Sequence, residues 1–475
     1  VQDVVIVGGG PAGLTAAYEI IRRDDLDAKP IVFEAGDRVG GISRTEDYKG
    51  YRFDIGGHRF FTKIKEVEDI WKEVLEEDFI SVQRVSRIYY RGRFFDYPLK
   101  IFNALTNIGI YESFRILLSY AKWKVRPSQV EDNFEQWVMN RFGGRLYMHF
   151  FRSYTEKVWG IPPSSIRADW AAQRIKNLSL SRVVWNALTG ANDTASLIEE
   201  FQYPRLGPGM MWERTSEIVN ASGGEVHLHT HVGKIYRDGN RVTHVDATTT
   251  DDNGDVTTRK VPVDHLINSM ALHDLIHSFD PPPPDHVIKA ADRLNYRDFL
   301  IVTLILKVSD PFPDNWIYVH SPEVRVGRIQ NFRAWSPEML PDEDTASIGM
   351  EYFCQINDSL WTMADEDLMD LARKELAAIN LANVDDVIDS KVIRQPKAYP
   401  VYDGDYAEAV DVLEKWISLL ENFQTVGRNG LHRYNNQDHS MLTALYAVDN
   451  IAGGNHDIWN VNVERSYHEE METDK

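Results

Sequence analysis

The chain has one cysteine, Cys354, among 475 residues. That excludes an intramolecular disulfide and any cysteine-based metal cluster, and it fits a reducing compartment, so a cytoplasmic protein is expected. Positive charge is scarce: 52 Lys and Arg against 72 Asp and Glu leave a net charge of −20. This disfavours nucleic acid or an anionic membrane as a partner, although local arginines can still hold a small anion. No run of 18 apolar residues occurs, so no membrane span is expected, and no signal peptide opens the sequence. There is no internal repeat, no serine-hydrolase elbow and no second glycine-rich nucleotide fingerprint. Aromatics are plentiful, with 12 Trp and 21 Tyr, enough for core and interface or for a pocket lined for rings and sugars. The length implies two or three domains.

The first positive signal is VVIVGGGPAG over Val4–Gly13. A β-branched run leads into Gly8, Gly10 and Gly13, which fit G-x-G-x-x-G. A predicted helix (Leu14–Arg23) and a second strand, IVFE, ending at Glu34, complete the unit. The first glycine permits a tight turn, the second lets backbone approach a pyrophosphate, and the third lets helix and strand pack closely. The helix N-terminus favours the phosphates, and Glu34 is placed to accept from a ribose hydroxyl. A second glycine pair, Gly40 and Gly41 in RVGGISR, follows where FAD proteins of the glutathione-reductase type carry one. Asp54–Phe60 then read DIGGHRF, with Gly56, Gly57 and His58. Taken alone, His58 reads as a hydrogen-bonded structural residue rather than a catalytic one.

Further along, 81–97 alternates and predicts a hairpin around Arg91-Gly92. The block 99–190 has helical spacing in Phe134–Phe142 and Tyr147–Val158. Strands are predicted within 225–268 and as long buried runs at 297–307 and 346–354. A final helix is predicted over Ser440–Ile451. This order predicts an α/β protein whose Rossmann-like FAD-binding domain is discontinuous, drawn from 1–80, 205–290 and 420–475. A mainly helical substrate or cap region at 81–204 and a sheet-containing substrate region at 291–419 form the inserts. The histidines of HLHTH (227, 229, 231) would share one strand face, but no partnering acid or cysteine is evident, and no metal site is expected.

Several stretches together resemble the UDP-galactopyranose mutases, the long eukaryotic-type members above all. They are DIGGHRFF (54–61), QRVSRIYYRGRFFDYP (83–98), FEQWV and YTEKVWGIP (134–162), ADWAAQRI (168–175), FQYPRLGPGMMW (201–212), NWIY (315–318), RIQNFRAWSP (328–337), the AYP ending at 400 and GRNGLHRYNNQDHS (427–440). They are colinear over most of the chain. The protoporphyrinogen oxidase and amine oxidase flavoproteins share the N-terminal motifs and the domain plan.

The resemblance implies a mutase that interconverts pyranose and furanose forms of a nucleotide sugar through a flavin N5–sugar adduct, with reduced FAD as nucleophile. Two family arginines that grip the diphosphate correspond to Arg174 and Arg328, and a third near sugar and flavin to Arg433; guanidinium forks suit a departing diphosphate. His58 corresponds to a histidine facing the isoalloxazine. Tyr97, Trp159, Trp316, Tyr318, Tyr399 and Tyr434 fall at or beside pocket positions, with a core role for Trp159 equally open. Gly427, Asn436, Gln437, Asp438 and Ser440 would approach the flavin around the last helix start, unless Asp438 is only a cap. Arg84 and Ser86 correspond to residues that help bind NADPH as a transient reductant; Arg84 as an ordinary strand residue is the alternative. The nucleotide-diphosphate sugar is the partner implied, and a homo-oligomer is left open.

Departures bear on the substrate. Leu99 and Lys100 stand where the family has an aromatic and a glutamine that read uracil, Thr155 replaces an asparagine, and Trp335 replaces a tyrosine near phosphate, keeping a ring and an N–H. Base and sugar therefore stay open. A true FAD oxidoreductase and a flavoprotein without turnover are the competing readings.

Overall fold

The computed structural model describes residues 1–97, 101–168 and 200–463. Its nucleotide-binding part is a five-stranded parallel sheet in the order Phe423–Thr425, His265–Asn268, Gln2–Val7, Ala28–Phe33, Glu225–His227. Three widely separated stretches of chain thus build one sheet. Val4, Val5 and Ile6 are fully buried, which is what continuous apolar runs require when both sheet faces are covered. One face carries the helices Pro11–Arg22, Gly209–Ala221 and Gln437–Ile451, packed together through Leu14, Trp212 and Met441. On the other face lies a four-stranded sheet in the order Val256–Pro262, Arg241–Thr250, Thr230–Asp238, Phe279–Asp280.

The HLHTH segment does not form one strand. His227 ends Glu225–His227, the chain turns at Leu228 and at His229 (φ +50°), and Thr230 starts the next strand with His231 as its second residue. His227 stacks on Phe33 and bonds Glu225. The three histidines therefore do not share a face.

The second sheet has seven strands in the order Val387–Pro400, Tyr296–Leu306, Ala346–Cys354, Arg328–Asn331, Trp316–Val319, Ser86–Tyr90, Arg93–Asp96. The predicted hairpin around Arg91-Gly92 forms its edge, with both turn residues at positive φ. Tyr296–Leu306 and Ala346–Cys354 match the two predicted buried strands closely. Helices Ile110–Val125, Phe134–Phe142 and Arg152–Trp159 pack beside this sheet. Asn133 caps the second of them by accepting from the Gln136 N–H at 2.9 Å, and Gly160, left-handed at φ +68°, ends the third. The final helix starts at Gln437, three residues earlier than its apolar spacing suggests. No described helix is long and apolar enough to cross a membrane.

Candidate active site

The nucleotide end is built from backbone. Gly8 turns the chain at φ +100°, and a Cβ there would lie 2.2 Å from Ser269 Oγ. At Gly13 a Cβ would fall 1.9 Å from the Gly8 carbonyl oxygen, so the helix sits directly on the turn. Gly10 differs. A Cβ there would meet only Gly41 backbone, 3.6 Å away, and the Gly40 N–H donates to the Gly9 carbonyl at 2.8 Å. The two glycine pairs thus face one another at a helix N-terminus with no side chain between them, a cradle suited to a pyrophosphate. Glu34 accepts from the Gly9 N–H at 2.7 Å and the Gly36 N–H at 2.8 Å. Its carboxylate is thereby fixed, with lone pairs left for a ribose hydroxyl. Gly427, at φ +86°, lies against Ala12, and its N–H donates to Thr443 Oγ1 at 2.9 Å. Asn436 precedes the last helix without capping it through its side chain, Gln437 accepts from Trp212 Nε1, and Asp438 and Ser440 are buried in the first turn. These residues fit FAD.

The other end is a row across the seven-stranded sheet. Tyr318 pairs with Arg328, and Arg328 with Glu351. Residues paired in this way share a face, so register alone brings the Arg328 Nε to within 2.5 Å of Glu351 Oε2. Glu351 is wholly buried, and its second oxygen accepts from Gln330 Nε2 at 2.7 Å. Burial opposes charge on Arg328, but the Glu351 carboxylate and the facing tyrosines hold its pKa well above the usual range. A Cβ on Gly56 would sit 3.5 Å from Arg328 Nη2 and 3.7 Å from His58 Nε2, so the guanidinium reaches the GGH loop. His58 Nε2 bonds the Ile55 carbonyl at 2.8 Å, which requires the proton on that nitrogen. Burial, helped by Arg428 and Arg328, pushes its pKa down to about 4. His58 is therefore neutral near pH 7.

Aromatic residues line the space around Arg328. Tyr399 and Tyr434 stack with centroids 5.5 Å apart, and Trp159 meets both at just over 6 Å. Tyr318 lies 4.5 Å from Tyr97 and 5.8 Å from Tyr154. Burial pushes the Tyr399 hydroxyl up to about 12 and raises that of Tyr154, so both remain hydrogen-bond donors. The helix carrying Tyr154 and Trp159 is held by Lys157, whose ammonium donates to the carbonyls of Val319, Ser321 and Val326. Arg84 lies 5.5 Å from the ring centres of both Tyr97 and Trp316. Ser86 pairs with Trp316 in register, and neither Ser86 Oγ nor Trp316 Nε1, both buried, has a partner among the described residues.

The structure thus gathers His58, Arg328, Trp159, Tyr318, Tyr399 and Tyr434, with Tyr97, Trp316, Arg84 and Ser86 on the adjoining wall. Arg433 is turned away from this cluster: it donates to the Val461 carbonyl at 2.8 Å. The guanidinium beside Tyr399 and Tyr434 belongs to Arg428, at 5.5 and 5.0 Å from their ring centres. Arg174, Leu99 and Lys100 lie outside the described residues. Trp335 offers no N–H to a ligand, because Nε1 donates to the Asn315 carbonyl and to Gln330 Oε1. Sequence reasoning missed Glu351, Tyr154 and Arg428. Only Glu351 carried a signal, as the lone carboxylate in the buried run ASIGMEYFC.

Comparison with known proteins supports the fold. A crystal structure of reduced UDP-galactopyranose mutase superposes with a TM-score of 0.82 over 95% of this chain and 94% of that one, at 23% identity. Coproporphyrinogen III oxidase of Mycobacterium leprae is 39% identical over 73 residues, 15% of this chain and 16% of that protein. Chloroplastic protoporphyrinogen oxidase 1 of Arabidopsis thaliana is 26% identical over 174 residues, 34% of this chain and 32% of that protein. The chain therefore spans well under half the length of these two relatives. Residues 11–400 match the flavin-containing amine oxidoreductase family, whose cofactor is FAD, and the chain belongs to that family.

Proposed function

We propose that this protein is a reduced-FAD-dependent mutase that interconverts pyranose and furanose forms of a nucleotide-diphosphate sugar. The observation that carries the reading is Arg328, a guanidinium clamped by buried Glu351 and set between the GGH loop and Tyr154, Tyr318 and Tyr399. A cation fixed in a poorly solvated, hydroxyl-rich pocket suits a diphosphate that must be held while its bond to the sugar breaks. It suits a protonated amine poorly, since Arg328 and Arg428 would repel one. The bound reduced flavin supplies a nucleophile, with no net redox change.

The protein's own residues do the rest. Gly8, Gly10, Gly13 and Glu34 anchor the dinucleotide, while Gly40 and Gly41 keep its path clear. Neutral His58, fixed through Ile55, presents its ring without adding charge. Tyr399 and Tyr434 cover the sugar site and keep water out. NAD(P)H is the reductant we assign, taken up against Arg84, Ser86 and Trp316, whose side chains line one wall.

The test uses dithionite-reduced protein and a panel of UDP-, dTDP- and GDP-hexoses, with chromatography of the nucleotide sugars. Interconversion without oxygen uptake is expected, and Arg328→Ala lowers turnover by about 100-fold or more. The second reading, an oxidase, is favoured by the names of the sequence relatives. It predicts substrate-linked hydrogen peroxide release that survives Arg328→Ala, and that result would replace the mutase.

A further inference from the structure

Away from the flavin pocket, the short helix Leu272–Ser278 places two histidines one turn apart. The His273 and His277 rings lie 4.8 Å apart, and both face Asp292, at the end of the helix Asp285–Ala291. His277 Nε2 is 2.7 Å and His273 Nε2 is 3.7 Å from Asp292 Oδ1, and one ligand atom from each residue lies within 4.8 Å of the other two. Donors around a tetrahedral ion are spaced by roughly 3.3 Å, given metal–ligand bonds of about 2.0–2.2 Å. Small side-chain rotations bring these three into that range. We propose that His273, His277 and Asp292 bind one divalent transition-metal ion, zinc or a close analogue, with solvent completing the coordination.

Two features separate this group from a chance surface cluster. His273 Nδ1 bonds Asp274 Oδ1 at 3.0 Å. That contact places the Nδ1 proton on the carboxylate side and leaves the Nε2 lone pair directed at Asp292, the outer-shell arrangement by which carboxylates orient ligating histidines. Asp274 is itself held by the Lys397 ammonium. The two-nitrogen, one-oxygen donor set also selects for zinc, cobalt, nickel or copper over magnesium or calcium, which prefer oxygen alone. The ion would act as a clasp rather than in catalysis. It would join two helices beside the FAD sheet, and the Leu272 N–H already donates to the Asn429 carbonyl in the loop that begins at Gly427.

The experiment is a titration of chelator-treated, flavin-loaded protein with Co²⁺, followed by visible d–d absorption and by the thermal midpoint, with Zn²⁺ as competitor. The expected result is saturation at one Co²⁺ per chain, displacement by Zn²⁺, and a metal-dependent rise in midpoint. His273→Ala and His277→Ala abolish all three, while the flavin spectrum shows that each variant remains folded. Asp274→Asn weakens binding by about 10- to 100-fold. No saturable binding at micromolar Co²⁺, or binding unchanged in His277→Ala, would overturn the site and leave an ordinary His–Asp hydrogen bond.

Discussion

Glu351 decides how Arg328 is presented. Its two oxygens accept from two different donors, Arg328 Nε and Gln330 Nε2. Gln330 cannot turn over to compensate, because its own oxygen accepts from Trp335 Nε1 at 3.0 Å. In Glu351→Gln the new amide must therefore point N–H groups at one of two donors, while Arg328 loses its counter-charge. Removing one member of a buried ion pair costs about 3–5 kcal/mol. The lower figure applies here, since the Arg328 side chain keeps 17% exposure. The expected outcome is a urea-unfolding free energy lower by about 3 kcal/mol, with turnover falling well beyond any loss of folded protein. Wild-type turnover in folded Glu351→Gln would show that Arg328 is positioned by something else. Arg328→Lys should not rescue function, because an ammonium cannot make the planar fork.

At the scale of elements, the strand–turn–helix unit carries the sharpest expectation. Ala at position 13 would drive its Cβ into the Gly8 carbonyl, which is backbone and cannot swing aside. The helix must then lift from the strand, at a cost of about 1–3 kcal/mol, and its N-terminus leaves the cradle. Gly13→Ala should purify with little flavin, read as a collapsed ratio of 450 nm to 280 nm absorbance, whereas Ala at the open Gly239 turn should retain full flavin. This unit was legible because its chemistry is local: strand, glycines, helix and acid lie within 34 residues. The hairpin at Arg91-Gly92 and the two buried strands were legible for the same reason, since period and turn residues are adjacent in sequence. The strand Val387–Pro400 escaped notice because its burial alternates irregularly and Pro396 interrupts it. The Arg328–Glu351 pair depends on strand register, and Arg428 rather than Arg433 faces the tyrosines because of the turn between the last strand and the last helix. Motif position nominates the segment in both cases but does not say which way a side chain points.

For the whole molecule, acid stability follows from where its buried titratable groups sit. Burial pushes His320 down to about 3, and His432 and His58 down to about 4, from an ordinary value near 6.5. A histidine whose folded pKa is depressed favours the native state fully above the unfolded value. That contribution is lost as pH falls, because the unfolded chain binds the proton first. Between pH 7 and 5 each histidine therefore removes about 2 kcal/mol. Asp54 works in the opposite sense. Burial raises it to about 7 despite hydrogen bonds from Tyr203 and Thr45, so its native form keeps a proton that the unfolded chain has lost. Acidification from pH 7 to 5 thus returns about 2–3 kcal/mol at Asp54. The three histidines together outweigh it, and net stability should fall by about 3 kcal/mol over that interval. His320 stacks on Tyr154 at 4.3 Å, so His320→Phe keeps a ring in the same place while removing the titration and one hydrogen bond to the Phe150 backbone. Urea unfolding at pH 7, 6 and 5 should show a decline smaller by about 2 kcal/mol in this variant than in the wild type. An equal decline in both would mean that His320 is not held neutral by the fold.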